Sequence, residues 1–430
     1  MDHPHSVQAL AYFDDLFPLE PKAMATQPRV TATETDLLSQ IADFDHFGTR
    51  TVCEKAEDIQ YFVNEFWTSG QRRAHSLHEL SYRACFKPQL PGFFIDRLTE
   101  PGDSVYDPFM GRGTTPLQAA LVGRRPLGND INPLSKLLLR PRLEPPSLCD
   151  VMKVLDEVPW DRPVKVWEDL TVFYHPDTLS RLTNLRHFLL ERAPLHLEQP
   201  DHAVDWVRMI AINRLTGHSA GFFSVYSLPP NQAVTIEAQR KINAVRQQVP
   251  ESRDVRKIIL KKTKSLLSDG AMPRHPQGSL FTCDAANTHG IRDGEVDLVV
   301  TSPPFLNIVQ YAKDNWLRCW FAGIDVDSVK IAMHPKVGAW EAMVRDTLRE
   351  QARILRPGGH VAFEVGEVRN GKVLLEKIVW RAAEGLPFER LGVMINQQEF
   401  TKTANCWGVS NNSGGTNTNR IVLLRRTCER

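Results

Sequence analysis

The spacing of apolar and polar residues predicts two blocks of strands and helices along this chain. A long polar stretch separates the two blocks. In the first block, residues 93–98 are predicted to be helical and end at a turn, Glu100-Pro101-Gly102-Asp103. Residues 104–106 then form a short apolar strand, residues 115–122 are apolar at helical spacing, and residues 126–129 begin another strand. This order predicts a strand-helix-strand unit, which starts a doubly wound parallel sheet.

The second block lies near the C-terminus. Residues 296–301 form a largely apolar strand, as a parallel strand buried on both faces requires. A helix over 347–355, a turn over 356–359 and a strand over 360–365 follow. Residues 389–396 and 420–425 are expected to close the sheet as an antiparallel pair, with residues 411–419 in the loop between them.

We therefore predict an α/β, Rossmann-like fold with a mostly parallel seven-stranded sheet and a largely helical inserted lobe. Residues 1–75 form an N-terminal accessory segment, in which 37–44 and 57–66 are expected to be short helices. Residues 76–140 form the first half of the main domain, 141–280 the inserted lobe and 281–430 the second half.

Composition narrows the class of protein. The chain has 430 residues, 42% hydrophobic and 24% charged, which is enough apolar material for a sizeable core. It has no apolar run of membrane-spanning length, and its start lacks the features of a signal peptide, so we expect a cytoplasmic location and no membrane contact. The seven cysteines are scattered without a Cys-x-x-Cys pair, which argues against disulfides and against a metal site.

The charge is unevenly distributed although the formal net charge is +1. Residues 1–70 hold twelve acidic and four basic residues, whereas 236–275 hold ten basic and four acidic. A basic tract in a near-neutral protein indicates either phosphate contacts or a solvated helix face, and charge alone favours neither interpretation. The candidate phosphate contacts are Arg240, Lys241, Arg253, Arg256, Lys257, Lys261, Lys262 and Lys264.

The first strand runs into the turn Asp107-Pro108-Phe109-Met110-Gly111-Arg112-Gly113-Thr114-Thr115. Ligands of open parallel sheets bind beyond the carboxyl ends of strands, and the two glycines allow close approach of the backbone. Asp107 could bind a ligand ammonium, and Asp130, at the end of the next strand, suits ribose hydroxyls. Because the third glycine of the dinucleotide motif is missing, a nucleoside without a pyrophosphate fits best. S-adenosylmethionine is such a ligand.

This turn closely resembles the cofactor motif of site-specific DNA amino-methyltransferases, in which Pro108, Phe109 and Thr114 would also bind S-adenosylmethionine. The resemblance implies that Phe86-Lys87-Pro88-Gln89-Leu90-Pro91, and Lys87 in particular, closes over the methionine end of that cofactor. It also implies that Asp284 accepts a hydrogen bond from the adenine amine. Arg112 departs from the family, which usually has a small residue between the glycines.

The second block delivers Ser302-Pro303-Pro304-Phe305 to the same sheet edge. An exocyclic base amine is a poor nucleophile because its lone pair is delocalised, and two acceptors, the Ser302 hydroxyl and the Pro303 carbonyl, would favour a pyramidal nitrogen. The prolines stiffen the loop, and Phe305 could stack a flipped base. Methylation at base C5 requires an activated cysteine, usually after proline, and the sequence has no Pro-Cys pair.

In the family, this serine form is associated with cytosine N4 methylation, and the order of the motifs places target recognition in the insertion. The resemblance therefore implies double-stranded DNA as partner, together with a possible cognate restriction or defence partner. The alternatives are an adenine N6 DNA methyltransferase, an RNA base N-methyltransferase and a DNA-binding protein that has lost catalysis.

Overall fold

The computed structural model describes residues 36–68, 74–83, 85–195, 200–227, 232–304, 311–329, 334, 336–368, 373–397 and 418–428. Within these ranges the strands are β1 (Val52–Ala56), β2 (Ile59–Asn64), β3 (Ser104–Asp107), β4 (Arg125–Asn129), β5 (Ser279–Phe281), β6 (Val296–Thr301), β7 (Leu355–Val365), β8 (Glu367–Val368), β9 (Val373–Leu374), β10 (Phe388–Gln397) and β11 (Thr418–Arg426).

Nine of these strands form one sheet, in the order β1-β2-β10-β11-β7-β6-β3-β4-β5. The run from β7 to β5 is parallel throughout, whereas β11 is antiparallel to both of its neighbours. The predicted α/β class with a mostly parallel sheet is therefore confirmed. The chain order reverses between β3 and β6, so the carboxyl ends of these two strands mark the switch point where α/β sheets bind ligands.

The sheet is wider than the seven strands predicted, because the N-terminal segment adds a hairpin. Residues 57–66, predicted to be a helix, instead form the turn and second strand of the β1–β2 hairpin, and β2 pairs in parallel with β10. Short apolar runs do not distinguish helix from strand by periodicity. The β-branched and aromatic residues Ile59, Tyr61, Phe62 and Val63 favour the strand.

The helices of five or more residues are α1 (Asp36–Ala42), α2 (Gln89–Leu98), α3 (Thr114–Leu121), α4 (Pro133–Leu143), α5 (Leu148–Glu157), α6 (Pro176–Arg192), α7 (His202–Arg214), α8 (Ile236–Arg246), α9 (Val255–Leu266), α10 (Tyr311–Ala322), α11 (Val337–Ile354) and α12 (Leu375–Ala382). A 3₁₀ segment covers Glu168–Val172. The predicted turn at 356–359 lies inside β7, where the register with β6 shifts between Leu355 and His360.

The sheet is covered on both faces. Side chains alternate along a strand, so Val105 packs with α1, α2 and α3 on one face, while Tyr106 packs with α11 and α12 on the other. Helices α5 to α9 lie within the predicted insertion and share one apolar core with α4 and α10. None of the described helices has the length and hydropathy needed to cross a membrane.

Candidate active site

Two glycines determine the backbone conformation of the turn between β3 and α3. Gly111 and Gly113 both have positive φ, 51° and 80°, and a Cβ at Gly113 would lie 2.7 Å from the side chain of Leu139. Only glycine adopts this backbone without strain, so the two glycines define the shape of the turn. The turn lies at the switch point of the sheet.

Asp130 fastens this turn to the end of β4. Its carboxylate accepts from the backbone N–H of Gly111 at 2.8 Å and from that of Asn132 at 2.9 Å. Burial raises the pKa of Asp130, while the two backbone bonds oppose that shift. The carboxylate predicted to bind ribose hydroxyls therefore also shapes the glycine turn.

Asp107 is the most deeply buried acid of the turn. Its Oδ1 accepts from the hydroxyl of Thr301 at 2.6 Å and from the backbone N–H of Phe109 at 3.0 Å. Burial raises the pKa of Asp107 to about 7, and the Thr301 hydrogen bond opposes the shift. A buried carboxyl that titrates near neutrality is suited to pairing with a cationic group of a ligand.

Asn129 was not predicted from the sequence, yet it joins three parts of the site. Its buried amide donates to the carbonyls of Pro108, at 3.2 Å, and Cys283, at 3.0 Å, and it accepts from the Cys283 backbone N–H at 3.0 Å. The predicted residue Asp284 follows directly and is exposed, and its carboxylate accepts from the Ala286 N–H at 2.9 Å. Asn129 thus brings the Asp284 loop beside the glycine turn.

Ser302, Pro303 and Pro304 continue from β6 beside this turn. The Ser302 hydroxyl hydrogen-bonds to the carboxylate of Glu364, a buried residue on the neighbouring strand β7. Burial raises the pKa of Glu364, and the bonds from Ser302 and Asn419 oppose that shift. Because the Glu364 carboxylate is an acceptor, the Ser302 hydroxyl donates its hydrogen to it. The lone pairs of Ser302 therefore remain available to accept hydrogen bonds.

The carbonyl of Pro304 accepts from the indole Nε1 of Trp340 at 2.8 Å, and Trp340 is a buried residue of α11. Neither Trp340 nor Glu364 was predicted, because each acts through a contact made by the fold and not through a local motif. Phe305, predicted to stack the base, lies outside the described residues.

Lys87 is exposed immediately before α2, where its carbonyl accepts from the Leu90 N–H at 3.1 Å. Pro108, Phe109 and Thr114 occupy the glycine turn and the first position of α3. The structure therefore brings Asp107, Gly111, Gly113, Asp130, Asp284 and Ser302 to one edge of the sheet.

The basic tract lies on α8, on α9 and, at Arg253, in the loop between them, and half of the predicted residues form ion pairs. Those with acidic partners are Arg240 with Asp169, Arg253 with Glu251, Arg256 with Asp156 and Lys262 with Glu79. Lys257, Lys261 and Lys264 are exposed at helical spacing, on the face of α9 opposite its apolar residues. They form a solvent-facing row, and within the described residues no ion pair links these lysines, or Lys241 on α8, to an acidic side chain. Among those residues no cluster of three or more His, Cys, Asp or Glu side chains could hold a metal ion.

The fold and the site define a class of α/β protein. In this class a glycine turn and a Ser-Pro-Pro loop stiffened by its prolines meet at one edge of the sheet. Residues 32–136 match the family model described as DNA methylase. The type II methyltransferase M.MjaII of Methanocaldococcus jannaschii is 34% identical over 84 residues, which cover 20% of this chain and 16% of that protein. M.BsoBI of Geobacillus stearothermophilus, also a type II methyltransferase, is 21% identical over 304 residues, covering 64% and 58%.

Among solved structures, TrmN from Thermus thermophilus is similar with a TM-score of 0.29 and 13% identity, covering 80% of this chain and 50% of that one. The chain spans less than two thirds of the length of each of the two type II methyltransferases that it matches. The matches confirm the resemblance found in the motifs: residues 32–136 are similar to the DNA methylase family model, and the curated relatives are type II methyltransferases.

Proposed function

We propose that this protein is a site-specific DNA methyltransferase that transfers the methyl group of S-adenosylmethionine to the exocyclic amine of a flipped base, with cytosine N4 as the favoured acceptor. The observation that carries the proposal is the pairing of two loops, the glycine turn and the Ser-Pro-Pro loop, at one switch point. They are tied together by the 2.6 Å hydrogen bond between Thr301 and Asp107.

The residues of the turn suit the cofactor. The positive-φ backbone at Gly111 and Gly113 shapes a cradle for the cofactor, Asp107 can pair with the ammonium of the methionine part, and Asp130 and Asp284 offer acceptors for ribose and adenine groups. Pro108, Phe109 and Thr114 would line the cradle, and Lys87 would lie at its rim. The bound cofactor supplies an electrophilic methyl group on a sulfonium, so no covalent intermediate on the protein is needed.

Ser302 and Glu364 act on the acceptor. With its own hydrogen held by Glu364, the Ser302 hydroxyl accepts a hydrogen from the base amine, and the Pro303 carbonyl accepts the other. The nitrogen lone pair is then free to form the bond to the methyl carbon as the carbon–sulfur bond breaks toward sulfur. The proton that the amine loses can pass through Ser302 to Glu364, which favours protons because its pKa is raised.

Duplex DNA is the proposed substrate, and the row Lys257, Lys261 and Lys264, with Lys241, Arg240, Arg253, Arg256 and Lys262, would contact its phosphates. Flipping takes the target base out of the stack at a cost of a few kcal/mol, which stacking contacts in the pocket offset. The type II names of the relatives support a specific recognition sequence, and a cognate restriction or defence partner belongs to the same proposal.

The experiment is to incubate the protein with methyl-labelled cofactor and unmethylated genomic DNA, digest the DNA to nucleosides and identify the labelled one by mass spectrometry. Label in N4-methylcytosine that disappears in Ser302→Ala is expected. Label in N6-methyladenine would retain the pocket and overturn the choice of base. Label in RNA alone, or cofactor binding without transfer, would overturn the proposed function.

A further inference from the structure

A short segment that neither motif includes lies against both halves of the site. Residues 76–83, called here the brace, begin with a 3₁₀ turn over Ser76–His78. The carbonyl of Leu80 accepts from Nη1 of Arg112 at 2.7 Å, and the carbonyl of Ser81 accepts from Nη2 of Arg318 at 3.1 Å. Two guanidiniums from different parts of the fold therefore bind consecutive carbonyls of one chain segment.

Arg112 connects the brace to the methyl-donor side. It stands between the two glycines of the cofactor turn, and its guanidinium also donates to the His78 carbonyl at 3.3 Å and to the Thr114 hydroxyl at 3.2 Å. Arg142 of α4 donates to the carbonyls of both Arg112 and Leu77. The Arg112 side chain thus adds a link between the turn and the brace that a small residue at position 112 would not supply.

Arg318 binds the brace from α10, the first described element after the acceptor loop. It is a buried residue of α10, the helix that starts at Tyr311, shortly after Pro304. At the end of the brace, Nη1 of Arg83 donates to the carboxylate of Asp314, also on α10, at 2.8 Å, and to the side chain of Gln232 at 2.7 Å. The helix that follows the acceptor loop is therefore held to the same segment as the donor turn.

This arrangement is electrostatically costly. Burial and the nearby charge of Arg112 lower the pKa of Arg142 to about 9, and burial lowers that of Arg318. Arg112 and Arg142 donate to carbonyl and hydroxyl groups. Buried charges destabilise a fold unless they are well hydrogen-bonded, and the brace supplies carbonyl acceptors to both Arg142 and Arg318.

Resting on the proposed function, we propose that Arg112 and Arg318 are positioning residues that set the separation between methyl donor and acceptor amine by binding the brace from both sides. Transfer between two bound reactants depends steeply on their geometry, and a displacement of about 1 Å can reduce the rate by about 100-fold. Loss of one guanidinium should therefore slow the chemical step more than it weakens either binding step.

The test compares single-turnover methyl transfer to unmethylated genomic DNA, with protein and labelled cofactor in excess, in the wild type, Arg112→Ala, Arg112→Lys and Arg125→Ala. Arg125 is the matched control, because its guanidinium also binds a carbonyl, that of Gln277, but at the opposite end of β4. Dissociation constants for S-adenosylhomocysteine and for the same sheared DNA are measured in parallel, with thermal unfolding as the check on folding.

We expect a rate 10- to 100-fold lower in Arg112→Ala, dissociation constants changed less than about threefold, an intermediate rate in Arg112→Lys and a near wild-type rate in the control. Added guanidinium ion should restore part of the Arg112→Ala rate. If Arg112→Ala does not fold, Arg112→Lys and Arg318→Lys carry the test.

A variant rate within twofold of wild type would overturn the proposal, as would a loss that is wholly a loss of S-adenosylhomocysteine affinity. A wild-type protein that methylates no DNA would overturn the proposed function itself, which separates the two failures.

Discussion

The hydroxyl of Thr301 lies 2.6 Å from the carboxylate of Asp107, and this hydrogen bond joins the ends of two neighbouring parallel strands. It is a bond between the cofactor side and the acceptor side of the proposed site. Thr301→Val removes the donor at nearly constant volume and should raise the pKa of Asp107 further. We expect S-adenosylhomocysteine affinity at pH 7 to fall by about fivefold, because a rise of roughly one unit from a pKa of about 7 lowers the ionised fraction from about a half to about a tenth. Calorimetric titration measures the effect, and Thr301→Ser, which keeps the hydroxyl, should bind as the wild type does.

The raised pKa of Asp107 makes cofactor binding depend on pH. A ligand ammonium pairs with the ionised carboxylate, so affinity should level off near pH 8 and fall by about tenfold per pH unit well below pH 7. Asp107→Asn should bind weakly at every pH. A wild-type affinity that is flat from pH 5 to 8 would contradict this assignment.

The raised pKa of Asp107 also predicts that the stability of the fold changes with pH in the direction opposite to cofactor affinity. Between about pH 4 and pH 7 the folded protein retains a proton that the unfolded chain releases, so Asp107 lowers stability as pH rises through this window. Asp107→Asn retains an acceptor for Thr301 and removes that penalty. Its melting temperature should exceed that of the wild type at pH 8, and the difference should disappear near pH 4. Equal melting temperatures at pH 8 would show that the carboxyl is not buried as described.

Glu364 should control the chemistry and not the binding of cofactor. Glu364→Gln keeps the size of the side chain but removes the charge that holds the Ser302 hydrogen, and we expect transfer to slow by about 100-fold. In the wild type, the rate should fall as pH drops through the pKa of Glu364, which lies above the usual carboxyl range. Single-turnover rates measure both effects. Unchanged S-adenosylhomocysteine affinity is the control, and an unchanged rate would exclude the role of Glu364.

Alanine substitutions at Gly113 and Gly102, which both have positive φ, distinguish backbone strain from steric clash. Gly102 has φ 98° and open space around a Cβ, so Gly102→Ala should cost only the left-handed penalty of about 1–2 kcal/mol. Gly113→Ala adds the 2.7 Å contact with Leu139 and should destabilise the protein further. Denaturant unfolding of both variants gives the difference, and equal costs would mean that the Leu139 side chain moves aside freely.

The row of lysines on α9 predicts a salt-dependent effect. Replacing Lys257, Lys261 and Lys264 by alanine should weaken DNA binding and reduce the slope of log affinity against log salt by about 0.9 for each lost phosphate contact. Lys153→Ala, at an exposed lysine of α5 paired with Asp150, is the matched control. An unchanged slope in the triple variant would place the DNA on another surface.

The motifs at strand ends were predictable because their residues are adjacent in sequence and have special backbone or acceptor chemistry. Gly111, Gly113 and Ser302 are of this kind. Glu364 and Trp340 could not be predicted, since each is an ordinary residue of a strand or helix that reaches the site only through strand pairing or helix packing. The β1–β2 hairpin was missed for a related reason: β2 is stabilised by β10, more than 300 residues later in the chain.

The pairing of β3 with β6 has a consequence for biosynthesis. Ser104 and Asp297, bonded side by side at the start of these strands, are 193 residues apart, and the helical insertion occupies most of the interval. A nascent chain therefore exposes the cofactor half of the sheet, with an unpaired strand edge, until the acceptor half has left the ribosome. Closing so long a loop is slow, and unpaired edges promote aggregation. Early folding of the insertion, which brings its two ends together, would shorten that vulnerable period.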